Sequence, residues 1–245
     1  MDLLKRFYCS LERPMIYCME DFLGGPKPFQ VRSAVNLQKG GTFLYVLLLM
    51  IILHNTSLQL ILYWALHGSY GLIWLMKSYV MPDLAFEKPC TIGSSVAAFI
   101  LILLPYWVAP YLIAAGYTTA PPIPVMGFAV LLHTLGVAIM MVSDAQKYYT
   151  LQYKKGLITD GMYKYIRSPN YLGEVMIYSS YALVANHWLP WLILLYVWTS
   201  VFATRIITKE KRMERYPEWK AYKQRTNCIL PIKFICHFFE KEKRE

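Results

Sequence analysis

Charge is scarce in this sequence. Only 16% of its 245 residues are Asp, Glu, Lys or Arg, and no acid stands between Asp21 and Asp83. Cysteine is sparse too. Cys9, Cys18, Cys90, Cys228 and Cys236 show no C-x-x-C spacing, which argues against a disulfide framework or a zinc site and leaves them as packing residues. No G-x-G-x-x-G follows a strand-like run, so a Rossmann dinucleotide site is excluded. Residues 1–39 hold no long apolar stretch of the secretory type. They mix Lys5, Arg6, Arg13, Lys27, Arg32 and Lys39 with Asp2, Glu12, Glu20 and Asp21, and those acids argue against a mitochondrial presequence. The expectation is a surface-lying, partly amphipathic arm over 1–40, followed by one membrane domain over 41–245.

What the chain has in quantity is apolar side chain. Hydrophobic residues make up 56% of it, with a mean hydropathy of +0.33, a membrane composition at single-domain length. Six apolar segments stand out, near Gly41–Leu53, Leu58–Met76, Ile92–Ala115, Val125–Gln146, Leu172–Asn186 and Trp188–Ile207. A full helical span needs about 20 residues, so the first and fifth are short. Pro105 and Pro110 predict a kink in the third, and Pro121, Pro122 and Pro124 a rigid connector after it. The fold class expected is all-α: a polytopic helical membrane protein with about six transmembrane helices and a C-terminal cap in the cytosol.

Cation placement orients that bundle. The net charge is +10, which in a soluble protein would raise nucleic acid as a partner. Here all 25 Lys and Arg fall in 1–40, 77–91, 147–171 and 208–245, or at Arg205 beside the last of these. The connections 54–57, 116–124 and 187 hold none. That one-sidedness obeys the positive-inside rule with both termini cytosolic, and nucleic acid is not expected. Lys241 and Lys243 in the last five residues resemble a K-x-K-x-x retrieval signal, so the expected residence is the endoplasmic reticulum membrane, with the mitochondrial inner membrane as the alternative.

The stretch Asp144 to Glu174 carries the densest set of polar groups between apolar segments. It opens with D-A-Q-K at Asp144 to Lys147 and closes with R-S-P-N-Y-L-G-E at Arg167 to Glu174. The second motif resembles the R-H-P-N-Y-x-G-E/D signature of the membrane steroid and sterol reductases, the 3-oxo-5-alpha-steroid 4-dehydrogenase C-terminal family. The D-x-Q-K resembles that family as well, and so does Y-P-E-W-K-A-Y-K-Q-R-T-N-C-I-L-P from Tyr216 to Pro231. The resemblance covers roughly 125–235. Isoprenylcysteine and phospholipid methyltransferases share this fold and an R-H-P-x-Y-x-G variant. They usually place a small or aromatic residue where this chain has Asn170, and they lack the acid at Glu174.

The resemblance implies hydride transfer from NADPH to a carbon–carbon double bond of a sterol-like or enone lipid, and contacts from Asn170 and Glu174 to the cofactor. By residue chemistry, Lys147, Arg167, Arg205, Arg215 and Arg225 suit phosphates. Asp144 suits ribose or amide donors, and Tyr165, Tyr171 and Tyr222 suit ring packing or hydroxyl bonds. A proton donor is also needed. The reductases use a glutamate in an early helix. This chain has none there, and Tyr70 and His67 in the second segment are the candidates, although a histidine in a bundle is more often a packing residue. Three readings follow: an NADPH-dependent reductase, an S-adenosylmethionine-dependent methyltransferase, and a non-catalytic subunit keeping the fold among other membrane subunits. The partners expected are the bilayer and a hydrophobic lipid substrate.

Overall fold

The computed structural model describes residues 2–232, so the retrieval-like Lys241 and Lys243 lie outside the described residues. Two short helices, α1 (Asp2–Ser10) and α2 (Glu12–Glu20), open the chain. A two-residue strand β1 (Phe29–Gln30) pairs antiparallel with β2 (Pro89–Cys90). Between these strands α3 (Val31–Ile52) and α4 (Leu58–Val80) form a hairpin of helices. Next come α5 (Ile92–Ala98) and α6 (Val108–Ala114), then the long α7 (Ile123–Tyr153). The chain ends with α8 (Pro169–Ala185), α9 (Trp188–Val197), α10 (Ala203–Met213) and α11 (Trp219–Arg225).

Four helical stretches are long and apolar enough to cross a membrane: Val31–Ile52, Ile92–Ala114, Ile123–Tyr153 and Trp188–Met213. The chain is therefore helical and membrane-like. α4 and α8 are the inner helices. α8 has only 17 residues, and α4 turns Gln59, His67 and Lys77 inward, which lowers its hydropathy. The kink expected at Pro105 is a change of winding. A π-helical turn over Phe99–Leu103 passes into a 3₁₀ turn over Leu104–Trp107, because proline cannot donate the regular bond and its ring clashes one turn back.

Helix α3 starts ten residues before the apolar run suggested, at Val31. Its polar first half is satisfied by neighbours. Gln30 and Ser33 form a reciprocal cap at its N-terminus. Arg32 pairs with Glu87 at 2.8 Å. Asn36 donates to Ser78 at 3.1 Å and accepts from the Trp74 indole at 3.0 Å. Lys39, counted by sequence with the arm, is buried inside the bundle.

Glycines let the helix pairs touch. A Cβ on Gly71 would stand 2.0 Å from the Lys39 carbonyl oxygen, so α3 and α4 meet backbone to backbone. A Cβ on Gly173 would stand 2.6 Å from the Gly136 carbonyl, and one on Gly136 would stand 2.8 Å from that of Gly173. α7 and α8 thus cross with both glycines in the contact, as small residues allow inside a bilayer.

The two ends of the bundle differ in chemistry. At one end neutral amides take up the last carbonyls of α6 and α8 and one carbonyl of the connection between α6 and α7. Asn55 donates to Ile113 and Ala114 at 3.1 and 3.0 Å, Gln59 to Val184 at 2.8 Å, and Asn186 to Thr119 at 3.0 Å. The other end gathers ion pairs: Lys77–Asp144, Lys147–Asp83 at 3.0 Å, and Arg167–Glu210 at 2.6 Å. The arm joins this end, with Lys5 paired to Glu214 and Arg212 to Glu12.

Gly71→Ala and Gly173→Ala should each lower thermal stability by on the order of 1–3 kcal/mol or more, as overpacking does. Gly127, which faces open space on α7, should tolerate Ala and gain up to about 1 kcal/mol from helix propensity. Melting curves of the three purified variants check this.

Candidate functional site

The charged end of the bundle holds the polar residues that the sequence singled out, in two groups. The first is a clamp. Arg167 is buried, and its Nε donates to Glu210 at 2.6 Å. Its Nη1 donates to the Thr226 carbonyl at 2.7 Å and the Thr226 hydroxyl at 3.1 Å. The Thr226 hydroxyl donates to the Tyr222 carbonyl at 2.6 Å, and the Tyr222 hydroxyl donates to the Tyr163 carbonyl at 2.7 Å. Burial pushes the Tyr222 phenol up to about 12 against the pull of Arg167 and Arg225. Backbone bonds complete the lock: Arg167 N–H to Asn227 O at 2.9 Å, Ser168 N–H to Cys228 O at 3.0 Å, and Asn227 N–H to Tyr165 O at 3.1 Å. The R-S-P motif and the Y-x-x-x-T motif therefore hold each other, and together they fix where α8 begins.

The second group lies on α8 and its neighbours. Pro169 opens α8 with no donor to lose. One turn later Asn170 and Glu174 stand four residues apart and share a face. Both are half-buried, and among the described residues neither side chain makes a hydrogen bond or an ion pair. Tyr171 packs edge-on against Phe202, with ring centroids 5.0 Å apart. Around it lie Arg205, Lys209 and Lys147. Arg205 acts electrostatically on both Tyr171 and Lys147, and Lys147 on Lys209. Lys209 sits 5.7 Å from the Tyr171 ring centre and donates to the Ser168 hydroxyl at 2.6 Å. Among the described residues neither Arg205 nor Lys209 has a carboxylate partner.

Behind α8 a polar-aromatic stripe runs along α4 at Tyr63, His67, Tyr70, Trp74 and Lys77, all buried. The Lys39 ammonium donates to the Tyr70 hydroxyl at 2.7 Å and lies 3.6 Å from the Trp74 ring centre. Lys77 lies 4.3 Å from the same ring and pairs with Asp144. Two cations on one indole are stable here because rings and carboxylates replace water. Of the acids, Glu174 pulls on Lys39 more strongly than Asp144 does. The Tyr63 hydroxyl is 2.9 Å from His67 Nδ1, and the His67 ring stacks on Tyr181 at 4.1 Å. One oxygen of buried Asp144 has no hydrogen-bond partner among the described residues.

The structure thus brings Asp144, Lys147, Asn170, Tyr171 and Glu174 to one end, with Tyr70 directly behind them and His67 one turn deeper. Lys147 is held by Asp83, whose carboxyl burial pushes up and the Lys147 ammonium and Ala85 N–H pull further down, below the ordinary carboxylate range. Tyr165 sits in the loop before the clamp, under Lys164 at 5.3 Å. Arg215 donates to the neighbouring Tyr216 hydroxyl at 2.9 Å, and Arg225 lies over Tyr222. Neither hydrogen-bonds to Asn170 or Glu174. Sequence reading missed Lys39, Trp74, Lys77 and Glu210. The signal for the α4 pair was present in the helical spacing of residues 63, 67, 70, 74 and 77.

Arg167→Met should leave Glu210 with only the more exposed Lys223 beside it and release the 216–226 segment, at about 1.5–3 kcal/mol. Adding Glu210→Met should restore part of the loss. Thermal melting with limited proteolysis of that segment reads both effects.

Comparison with known proteins bears on this half of the chain. Residues 94–226 match the model of a family described as a protein of unknown function, DUF1295. A stretch of 64 residues is 36% identical to an uncharacterised protein of Schizosaccharomyces pombe and covers 24% of this chain. The same stretch covers 23% of the yeast protein. The family match spans the change of winding over 99–107, the glycine crossing, the clamp and the α8 face, and by that extent the chain belongs to the DUF1295 family.

Proposed function

We propose that the chain is an NADPH-dependent membrane reductase that saturates a carbon–carbon double bond in a sterol-like or enone lipid. The observation that carries the reading is the α8 face, where Asn170 and Glu174 present half-buried side chains that make no hydrogen bond or ion pair among the described residues. Two such groups on one helix face, at the edge of a cation cluster, suit a ligand rich in hydroxyls, amide and phosphate. Arg205, Lys209 and Lys147 would take phosphate charge, Asn170 and Glu174 would take amide and ribose donors, and the free oxygen of Asp144 another donor. Arg167 and Tyr222 act through the clamp by fixing the start of α8, while Arg215 and Arg225 supply positive potential from the cap. When bound, NADPH supplies a hydride. The chain's own work is to orient it and to hold a proton at the Tyr70 hydroxyl, which Lys39 positions. His67 is engaged by Tyr63 and supports that tyrosine stack.

In this reading all six apolar segments, the short α8 included, cross the endoplasmic reticulum membrane, and the charged end and the 216–231 cap face the cytosol. The support is the one-sided distribution of Lys and Arg. The methyltransferase reading keeps one observation in its favour, the shared R-x-P-x-Y-x-G pattern, and the test below separates the two.

Titration with NADPH and with S-adenosylmethionine should show binding of the first alone. Asn170→Ala and Glu174→Ala should each weaken it by about tenfold to a hundredfold, the value of one bond to a charged partner. Response to S-adenosylmethionine with none to NADPH would transfer the site to methyl transfer.

A further inference from the structure

Two uncharged residues hold Arg205. Its Nη2 donates to the Met19 thioether of α2 at 3.3 Å. The Phe86 ring centre lies 5.1 Å from its guanidinium carbon. Both residues stand outside 94–226, the part that matches the family model, whereas Arg205, Lys209 and Lys147 stand inside it. A thioether is only a weak acceptor, and a ring face attracts a cation without neutralising it. Arg205 is thus oriented while its charge stays uncompensated. Lys147 acts on it as a like charge. Four residues on, Lys209 shares its face of α10, and Lys147 acts on that residue too. Asp83 pairs with Lys147, and an excess of positive charge remains that an anion relieves.

The end of the arm that carries Met19 is pinned. The Glu20 carbonyl accepts from the Thr91 N–H at 3.2 Å, and the Glu20 carboxylate pairs with Lys88 at 2.6 Å. The Phe22 N–H donates to the Ser94 hydroxyl at 2.9 Å, and the Phe22 carbonyl accepts from the Thr91 hydroxyl at 2.7 Å. Thr91 and Ser94 are both buried. Farther back, the arm joins α10 through Lys5–Glu214 and Glu12–Arg212, whose side chains are 22–65% exposed. Ion pairs that open to water contribute little, so the buried bonds at Thr91 and Ser94 decide where Met19 sits. Phe86 is fixed as well. Its carbonyl accepts from the Arg32 N–H at 2.9 Å, and its ring meets Trp74 edge-on at 6.1 Å.

We propose that the N-terminal arm is part of the phosphate site. Met19 and Phe86 are the positioning residues of Arg205, and their lack of charge reserves its guanidinium for the phosphate of a nucleotide. Met19 acts through Arg205 and needs no contact with the ligand. A carboxylate in its place would take the guanidinium with a charge-assisted bond and leave less for a ligand. The inference rests on the reductase reading for taking the cluster as a nucleotide phosphate site, and the test below separates the two.

Inorganic pyrophosphate is titrated by calorimetry into the purified full chain in detergent at low salt, and the parent should bind it. Met19→Glu should weaken that binding by about tenfold to a hundredfold, the worth of one bond to a charged partner, with a melting temperature no lower than the parent's. Met19→Gln, similar in shape without the charge, should bind far better than Met19→Glu. Met19→Ala removes the hold on Arg205 and should weaken binding by about twofold to tenfold. In an Arg205→Gln background the Glu and Ala substitutions should lose most of their effect. Losses as large in that background act on the fold and not through Arg205, and they overturn the inference. So does a parent that binds no pyrophosphate, or Met19→Glu binding it as tightly as the parent. NADPH titrated in parallel keeps the readings apart. Pyrophosphate binding that depends on Met19, without an NADPH response, preserves this site and ends the reductase reading. NADPH binding indifferent to Met19 does the reverse.

Discussion

Two places where helix backbones touch determine the geometry of everything else in this protein. At one, Gly71 of α4 meets the Lys39 carbonyl of α3. At the other, Gly173 of α8 meets Gly136 of α7. Contacts this close leave no room for a side chain, and they fix each pair of helices in height and rotation. The first brings Lys39 level with Tyr70 and Trp74. The second sets Asn170 and Glu174, which flank Gly173 on α8, against the end of α7 that carries Asp144. The glycine of N-Y-L-G-E is thus a packing residue, and the Asn and Glu beside it face the site because of it.

A second constraint is the cost of polar groups away from water. The chain meets it differently at its two ends. Amides of Asn55 and Gln59 cap helix carbonyls at one end, and that of Asn186 bonds the Thr119 carbonyl of the connection before α7, where no charge is needed. At the other end buried cations are compensated by carboxylates, by tyrosine hydroxyls and by the Trp74 ring. This asymmetry lets one end hold several lysines and arginines inside the bundle. It also explains why α4 and α8, the helices that carry most of the polar cargo, are the innermost and least like ordinary membrane spans.

The helical class, the approximate positions of the long helices and the polar stretch 144–174 could be read from the sequence, because apolar runs and proline breaks report directly on local structure. The early start of α3 could not. Arg32, Asn36 and Lys39 depress hydropathy, and only partners distant in sequence, Glu87, Ser78 and Tyr70, make them affordable in a bundle. The same holds for Arg167. As a motif residue it resembles a phosphate ligand, yet its guanidinium is occupied by Glu210 and Thr226, and no local pattern shows that pairing. Tyr70 was legible as a candidate; its neighbour Lys39 required the fold.

The proposed NADPH site lies between the start of α8 and the inner face of α10. Hydrogen–deuterium exchange of the full chain, with and without NADPH, tests it most directly. The account predicts slowed exchange confined to residues 167–176 and 203–226, with little change in α9 and in the amide-capped end. Unchanged exchange in those two segments at saturating NADPH, or protection there by S-adenosylmethionine instead, would contradict it.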